Sequence, residues 1–155
     1  MKKYTDLVNE TLPQIKEIFP WDLEEKLQNK EDVLIVDIRE PYEYDCMHIA
    51  DSINVPRGVL ESACDWGYQE TVPELADARG REVVLACKSG NRSVLAAYVL
   101  QLMGYDKVCS LKTGVRGWND YEQPVVDRDG RQVDIDDAEE FLTDHVTEEQ
   151  MGPKK

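Results

Sequence analysis

The segment with the clearest potential for chemistry is a short loop that begins at a cysteine. It follows the aliphatic residues 83–86 and contains Cys87, Lys88, Ser89, Gly90, Asn91 and Arg92. Gly90 and Asn91 tolerate the backbone angles that curl successive N–H groups around one point. Such N–H groups bind an anion when they stand at the beginning of a helix, and Lys88 and Arg92 add positive charge. The anion can be the cysteine sulfur itself, so the pattern predicts that Cys87 is a reactive thiolate nucleophile.

The distribution of charge around this loop indicates the type of substrate. Residues 79–116 carry seven basic and two acidic side chains, in a chain whose net charge is −14. A basic segment in an acidic protein predicts a small anionic substrate that is steered to one opening. The overall acidity argues against nucleic acid and anionic membrane surfaces as partners.

The elements that must position the loop follow from runs of apolar residues. Residues 33–37 and 83–86 are almost wholly aliphatic and predict strands buried on both faces, and residues 107–111 predict a weaker strand. Between the last two strands, apolar residues at helical spacing predict a helix that ends at Gly104. This alternation predicts an α/β fold with a mostly parallel sheet between helices, and Cys87 at a strand's carboxyl end, where ligands bind.

The length of 155 residues corresponds to one domain with flanking segments. Residues 1–19 are predicted to be an N-terminal helical extension that is broken near Pro13. Residues 20–124 form the expected domain, which begins with a helix at 20–27 whose Leu23 and Leu27 face inward. Residues 125–155 are predicted to be an acidic, solvated extension with a hairpin turn at Asp129–Gly130.

The cysteines and the hydropathy pattern suggest a compartment. No apolar run is long enough for a membrane helix, and the first residues lack the apolar stretch of a secretory signal. The spacing of the four cysteines indicates neither a disulfide framework nor a zinc site: Cys46, Cys64, Cys87 and Cys109. A cytoplasmic protein with free thiols is therefore expected.

Four ordered motifs resemble those of the rhodanese-like domain family, specifically its single-domain thiosulfate sulfurtransferases. The resemblance covers about residues 21–124, and its motifs are VDIREPYEY, HIADSINVP, CKSGNRS and LKTGVRGW. It implies a three-layer α/β fold. It also implies a transferase that moves sulfane sulfur from thiosulfate, or a related persulfide donor, to a thiophilic acceptor, without a metal or an organic cofactor.

The resemblance also assigns roles to individual residues. Cys87 is implied to be the catalytic nucleophile that carries the persulfide, in a cradle formed by the backbone of Lys88, Ser89, Gly90, Asn91 and Arg92. Asp37 and Arg39 are implied to be a mainly structural pair at the end of a strand, and Trp118 a packing residue of the last helix.

The sequence departs from the family pattern at several places. Met47 and Asp51 replace the two glycines of the family's Gly-His-Ile-x-Gly-Ala motif, and Thr113 replaces one glycine of its Leu-x-Gly-Gly segment. Because glycine adopts backbone conformations that other residues rarely do, these changes put in question whether the backbone keeps the family's conformation at these positions. Glu43 stands where two-domain members of the family often carry an arginine and single-domain members commonly do not, and an acid there, if it faced the site, would not help to bind thiosulfate.

Other residues have weaker signals. Arg57 and Cys64 are candidates for the rim of the site, and Cys64 could act as a resolving thiol. Cys46 and Cys109 are interpreted as packing residues. His48 is expected to have a structural hydrogen-bonding role, and His145 is expected to be exposed.

Parts of the pattern are also compatible with three other functions. A cysteine phosphatase or arsenate reductase would require a wider Cys-x5-Arg loop, whereas this loop is Cys-x4-Arg. A persulfide carrier or interaction module would pass sulfur to a partner protein with little free turnover, and the extensions could dock that partner. A redox sensor would form a disulfide between Cys87 and Cys64.

Overall fold

The computed structural model describes residues 1–154, which form an α/β fold around a parallel sheet. Its strands are β1 (Glu17–Ile18), β2 (Val33–Asp37), β4 (Ile53–Asn54), β5 (Glu82–Ala86) and β6 (Val108–Leu111), in the order β1-β6-β5-β2-β4. All neighbouring strands of this sheet run parallel. A separate antiparallel pair joins β3 (His48–Ile49) to β7 (Val125–Val126).

Helices cover both faces of the sheet. They are α1 (Tyr4–Thr11), α2 (Pro20–Gln28), α3 (Pro41–Cys46), α4 (Leu60–Ala63), α5 (Pro73–Ala76), α6 (Asn91–Leu102), α7 (Gly114–Asp120) and α8 (Ile135–Leu142). Short 3-10 turns lie at Leu12–Gln14, Arg57–Val59 and Glu149–Met151. The predicted three-layer α/β class is confirmed.

Successive side chains of the central strands enter two different cores. Val83 and Leu85 of β5 pack with α4, α5 and α6, whereas Val84 and Ala86 pack with α2, α7 and α8. Because side chains alternate across a strand, a strand that is apolar at every position must be covered on both sides. This explains why the uninterrupted aliphatic runs correctly predict β2 and β5.

The two flanking segments fold against the domain in ways that the sequence predicts only in part. The helix at the N-terminus ends at Thr11, in agreement with the break expected near Pro13, but the following chain is not helical and adds β1 to the edge of the sheet. Leu23 is buried as predicted, but Leu27 remains 37% exposed, so its predicted inward orientation is wrong. The predicted turn at Asp129–Gly130 is confirmed, because Val126 bridges to Gln132 across it.

The description of residues 125–155 as a solvated extension is wrong for α8. Ala138 and Leu142 are buried in the same core as Trp118. The Asn119 side chain donates a hydrogen bond to the Ile135 carbonyl (3.2 Å), which ties α7 to the start of α8. The apolar positions of α8 lie on one face, and their burial outweighs the acidic composition of the segment.

Two of the residues that replace family glycines adopt the left-handed conformation themselves. Asp51 has φ 65° and Thr113 has φ 67°, whereas Met47 is extended and needs no glycine. Aspartate tolerates this region, but a β-branched residue rarely occupies it because its side chain crowds the backbone. The fold is therefore retained at both positions, with strain concentrated at Thr113.

We expect Thr113→Gly to stabilise the protein. Relief of the left-handed strain should exceed the extra entropy of glycine in the unfolded chain, for a net gain of about 1 kcal/mol. Asp51→Gly is the matched control and should gain less, because aspartate is less strained there. Urea unfolding measures both variants, and an equal or larger gain for Asp51→Gly would contradict the assignment of strain to Thr113.

Candidate functional site

Cys87 lies immediately after β5, with its side chain buried beneath the loop that follows. The Gly90 amide donates a hydrogen bond to the sulfur (3.1 Å), and the Ser93 amide donates a second one (3.4 Å). Both amides stand at the beginning of α6, where the helix dipole also favours negative charge. The arrangement can hold an anionic sulfur without a neighbouring histidine.

The turn of this loop depends on a glycine. Gly90 has φ 93°, a conformation that brings its amide toward the sulfur and that side chains rarely permit. A Cβ at this position would also stand 3.0 Å from the Thr113 amide nitrogen. The loop is thus packed directly against the segment that follows β6.

Two serines that the sequence analysis did not select lie behind the sulfur. Ser93 Oγ is 3.3 Å from Cys87 Sγ and 2.7 Å from Ser110 Oγ, and both serines are fully buried. Their hydroxyls extend the set of polar groups around the sulfur into the core. A signal for Ser110 did exist, because a lone serine in an apolar strand must find a buried partner.

A cleft opens above the loop, and we call it the mouth cleft. Its volume is about 440 Å³, and it is lined by Tyr4, Arg57, Lys88, Ser89, Asn91, Arg92 and Leu95. The structure therefore brings Arg57 to the mouth cleft, as the sequence analysis suggested. It also adds Tyr4 of α1, which sequence reasoning missed because nothing local indicates that α1 reaches this surface.

Each of the three basic side chains of the mouth cleft has a carboxylate partner. Arg92 forms two hydrogen bonds of 3.0 Å with Glu43, and Lys88 pairs with Asp144 at 2.6 Å. Arg57 pairs with Glu61 at 2.6 Å. Lys88 and Arg92, which belong to the basic segment 79–116, are consequently neutralised by acids from distant parts of the chain, whereas Arg57 is neutralised by an acid four residues away.

Asp37 and Arg39 form a buried ion pair at the end of β2. Arg39 Nη2 is 2.8 Å from Asp37 Oδ2, and the same nitrogen donates to the Met47 carbonyl (2.6 Å). The Asn54 side chain caps the carbonyls of both residues at 3.0 Å. These contacts tie β2 to β4 and to the end of α3, as a structural pair would.

The other cysteines are placed differently from some expectations. Cys64 is fully buried, where burial raises the pKa of its thiol, so its predicted position on the rim is wrong. Cys46 is exposed and is not a packing residue. Cys109 is buried as expected, and burial raises its pKa to about 12.

The two histidines lie away from the sulfur contacts. His48 is nearly buried, stacks on Tyr44 with ring centroids 3.7 Å apart, and contacts the Tyr44 carbonyl through Nδ1 (2.8 Å). His145 is exposed. These placements match the roles expected for both residues.

Neither a metal cluster nor a membrane span is found in residues 1–154. No three His, Cys, Asp or Glu side chains in this range gather as metal ligands would. No helix within it is both long and apolar enough to cross a bilayer.

The Glu43–Arg92 pair leads to a prediction about acid stability. Burial alone would raise the pKa of the Glu43 carboxyl, but hydrogen bonds from Arg92 and the Glu40 amide hold it below its usual range. A lowered carboxyl pKa contributes stability at neutral pH that is lost as pH falls through the native value. Glu43→Gln should therefore lower the free energy of unfolding by about 1–2 kcal/mol at pH 7 and by almost nothing near pH 3.

Thermal unfolding across this pH range measures the effect, with Glu139→Gln as an exposed control. A cost independent of pH would contradict it.

Comparisons with known proteins identify the family. The family model of the rhodanese-like domain matches residues 20–121. A protein named sulfurtransferase from Allochromatium vinosum is 32% identical over 75% of this chain and 99% of its own length. YrkF of Bacillus subtilis, named as a candidate sulfur carrier, is 29% identical over 76% of this chain, which spans 58% of that protein.

The fold has a counterpart among solved structures. A Rhodopseudomonas palustris protein of unknown function, described as a possible tyrosine phosphatase, superposes with a TM-score of 0.72. It is 29% identical and the match covers 81% of this chain and 95% of that one. Together with the match over residues 20–121, this agreement leads to one conclusion: the chain belongs to the rhodanese-like domain family.

Proposed function

We propose that the protein is a sulfurtransferase that carries sulfane sulfur on Cys87. The observation that carries this proposal is the position of the Cys87 sulfur, buried at the carboxyl end of β5 and hydrogen-bonded by the amides of Gly90 and Ser93. Amides aimed at one sulfur would stabilise a thiolate and also the negative charge of a persulfide. The sulfurtransferase of A. vinosum, similar over three quarters of this chain, supports the same activity.

The proposed reaction has two steps. The Cys87 thiolate attacks the outer sulfur of thiosulfate, the sulfur–sulfur bond to the sulfonate breaks, and the electron pair leaves with sulfite. The product is the Cys87 persulfide anion. A nucleophilic acceptor, such as a thiolate or cyanide, then takes the outer sulfur, and the bonding pair returns to Cys87 as thiolate. Covalent catalysis thus divides one transfer into two, with no metal or organic cofactor.

The residues around the sulfur have separate proposed tasks. Lys88, Ser89, Gly90, Asn91 and Arg92 form the binding loop. Asp37 and Arg39 hold the end of β2, and Arg57 contributes to the rim. Cys64 is assigned no part in the transfer because it is enclosed in the core.

A persulfide carrier is the second candidate. Tyr4 of α1 lines the mouth cleft together with Lys88, and Asp144 beyond α8 pairs with Lys88, so both flanking segments offer contact surface to a partner protein. The name of YrkF as a candidate sulfur carrier is compatible with this role. A carrier would form the persulfide and release sulfur only when a protein acceptor is added.

A phosphatase is disfavoured by the dimensions of the loop. Cys87 and Arg92 are separated by four residues, and Arg92 is engaged by Glu43 rather than free for an oxyanion. The Rhodopseudomonas palustris neighbour shares the fold, and a shared fold does not by itself establish a shared reaction.

The cytoplasm is the proposed location. A cysteine nucleophile must remain reduced between turnovers, and a compartment rich in glutathione and thioredoxin maintains that state.

Steady-state kinetics with thiosulfate and cyanide test the proposed enzyme. We expect parallel double-reciprocal lines, because sulfite leaves before the acceptor binds. Para-nitrophenyl phosphate should not be hydrolysed. A persulfide that forms but does not react with cyanide or small thiols would favour the carrier, and hydrolysis of the phosphate ester would overturn both.

A further inference from the structure

Asp144, the carboxylate nearest to Lys88, is held in place by the packing of α8. Leu142, two residues earlier, is buried, and the Thr143 amide donates to the Glu139 carbonyl at 2.9 Å. The position of Asp144 above the loop is therefore a consequence of the fold and not of a free tail.

The charge of Asp144 acts on the side chain that follows Cys87. Its Oδ1 is 2.6 Å from Lys88 Nζ, and its Oδ2 is 3.9 Å from Arg116 Nη1. The hydrogen bond from Lys88 lowers the pKa of Asp144, so the group is a carboxylate at neutral pH. Asp144 thus opposes the charge of Lys88, which lines the mouth cleft, and that of Arg116 in α7.

The charge balance of the mouth cleft affects small anions most. With Arg57, Lys88 and Arg92 all paired, a dianion such as thiosulfate meets little net positive charge. Glu43 and Glu61 pair with their bases within the domain, whereas Asp144 comes from the segment after α8. Its side chain is 63% exposed, so its effect is a modest one that salt screens.

We propose that Asp144 is a specificity-determining residue that lowers the preference of the Cys87 site for small anionic reactants relative to neutral ones. The proposal rests on the proposed function, in which reactants reach Cys87 through the mouth cleft. Removal of the carboxylate leaves Lys88 and Arg116 unopposed and raises the local concentration of anions there.

The first test compares two alkylating reagents that differ in charge. Cys87 is alkylated at low salt with anionic iodoacetate or neutral iodoacetamide, and peptide mass spectrometry separates its reaction from that of exposed Cys46. We expect Asp144→Asn to raise the ratio of the iodoacetate rate to the iodoacetamide rate about threefold. High salt should abolish the difference. Glu140→Gln removes one charge from the exposed face of α8 and should leave the ratio unchanged.

The second test uses the proposed reaction itself. Asp144→Asn should lower the KM for thiosulfate about threefold without changing kcat, because the charge affects binding of the anion and not the transfer. An unchanged alkylation ratio, an equal rise in Glu140→Gln, or failure of both reagents to reach Cys87 would overturn the proposal. Absence of sulfur transfer from thiosulfate, with the expected alkylation ratios, would instead count against the proposed function alone.

Discussion

Cys87→Ser is expected to lower the rate of thiocyanate formation from thiosulfate and cyanide by at least about 1000-fold. Serine fits the space of the cysteine and can accept the same amide hydrogen bonds, so the fold should persist. Its hydroxyl is not an effective nucleophile toward sulfane sulfur at neutral pH, so no covalent intermediate can form.

Cys46→Ser is the matched control, because Cys46 is exposed and distant in sequence from the loop. It should retain the full rate. A rate in Cys87→Ser above about a tenth of the wild-type rate, or a comparable loss in Cys46→Ser, would contradict the proposed role of Cys87 as the nucleophile.

Gly114→Ala is expected to destabilise the protein by about 3 kcal/mol or more. Gly114 has φ 64°, and a Cβ there would lie 2.4 Å from the Cys87 carbonyl oxygen and 2.6 Å from the Lys88 carbonyl group. Both contacts are with backbone, so the Cys87 loop or the start of α7 must move. The same backbone carbonyls accept hydrogen bonds from Val115 (2.8 Å) and Arg116 (3.0 Å), which the movement would disrupt.

The loss of stability should be accompanied by a loss of sulfur transfer even below the unfolding temperature. Thermal unfolding should show a fall in Tm of about 6–12 °C. Gly80→Ala is the control, because its Cβ would meet no atom within 4 Å and its backbone is not left-handed. If the two variants unfolded at similar temperatures, the close approach of α7 to the loop would not be important for stability.

The sequence predicts the parts of the fold whose signals are local. The aliphatic runs of β2 and β5 and the helical spacing in α6 correctly indicate a parallel sheet between helices. The strand β1 has two residues, too few for any periodicity, and it exists because the neighbouring strand β6 offers free backbone groups. Its absence from the predicted elements has that physical cause.

The candidate site shows the same difference between residues with a local sequence signal and residues placed only by the fold. The Cys87 loop is contiguous, and its glycine and basic residues suffice to predict a cradle for sulfur. Ser110, Glu43 and Asp144 reach the loop only through tertiary packing, and no local pattern reports their distance from it.

The pairing of charged side chains shows most clearly what the sequence alone does not predict. The composition of residues 79–116 predicts a basic opening, yet Arg92 and Lys88 are paired with acids that lie 49 and 56 positions away in the chain. A count of charges along the sequence cannot show this pairing. The acidic C-terminal segment, interpreted as solvated, supplies one of the partners.

The measurement that tests the account most directly is the intact mass of the protein after incubation with thiosulfate and removal of the small molecules. The wild-type protein is predicted to gain the mass of one sulfur atom, which peptide mapping assigns to Cys87, and Cys87→Ser is predicted to gain none. No gain in the wild type, or an equal gain in the variant, would contradict the claim that Cys87 carries the transferred sulfur.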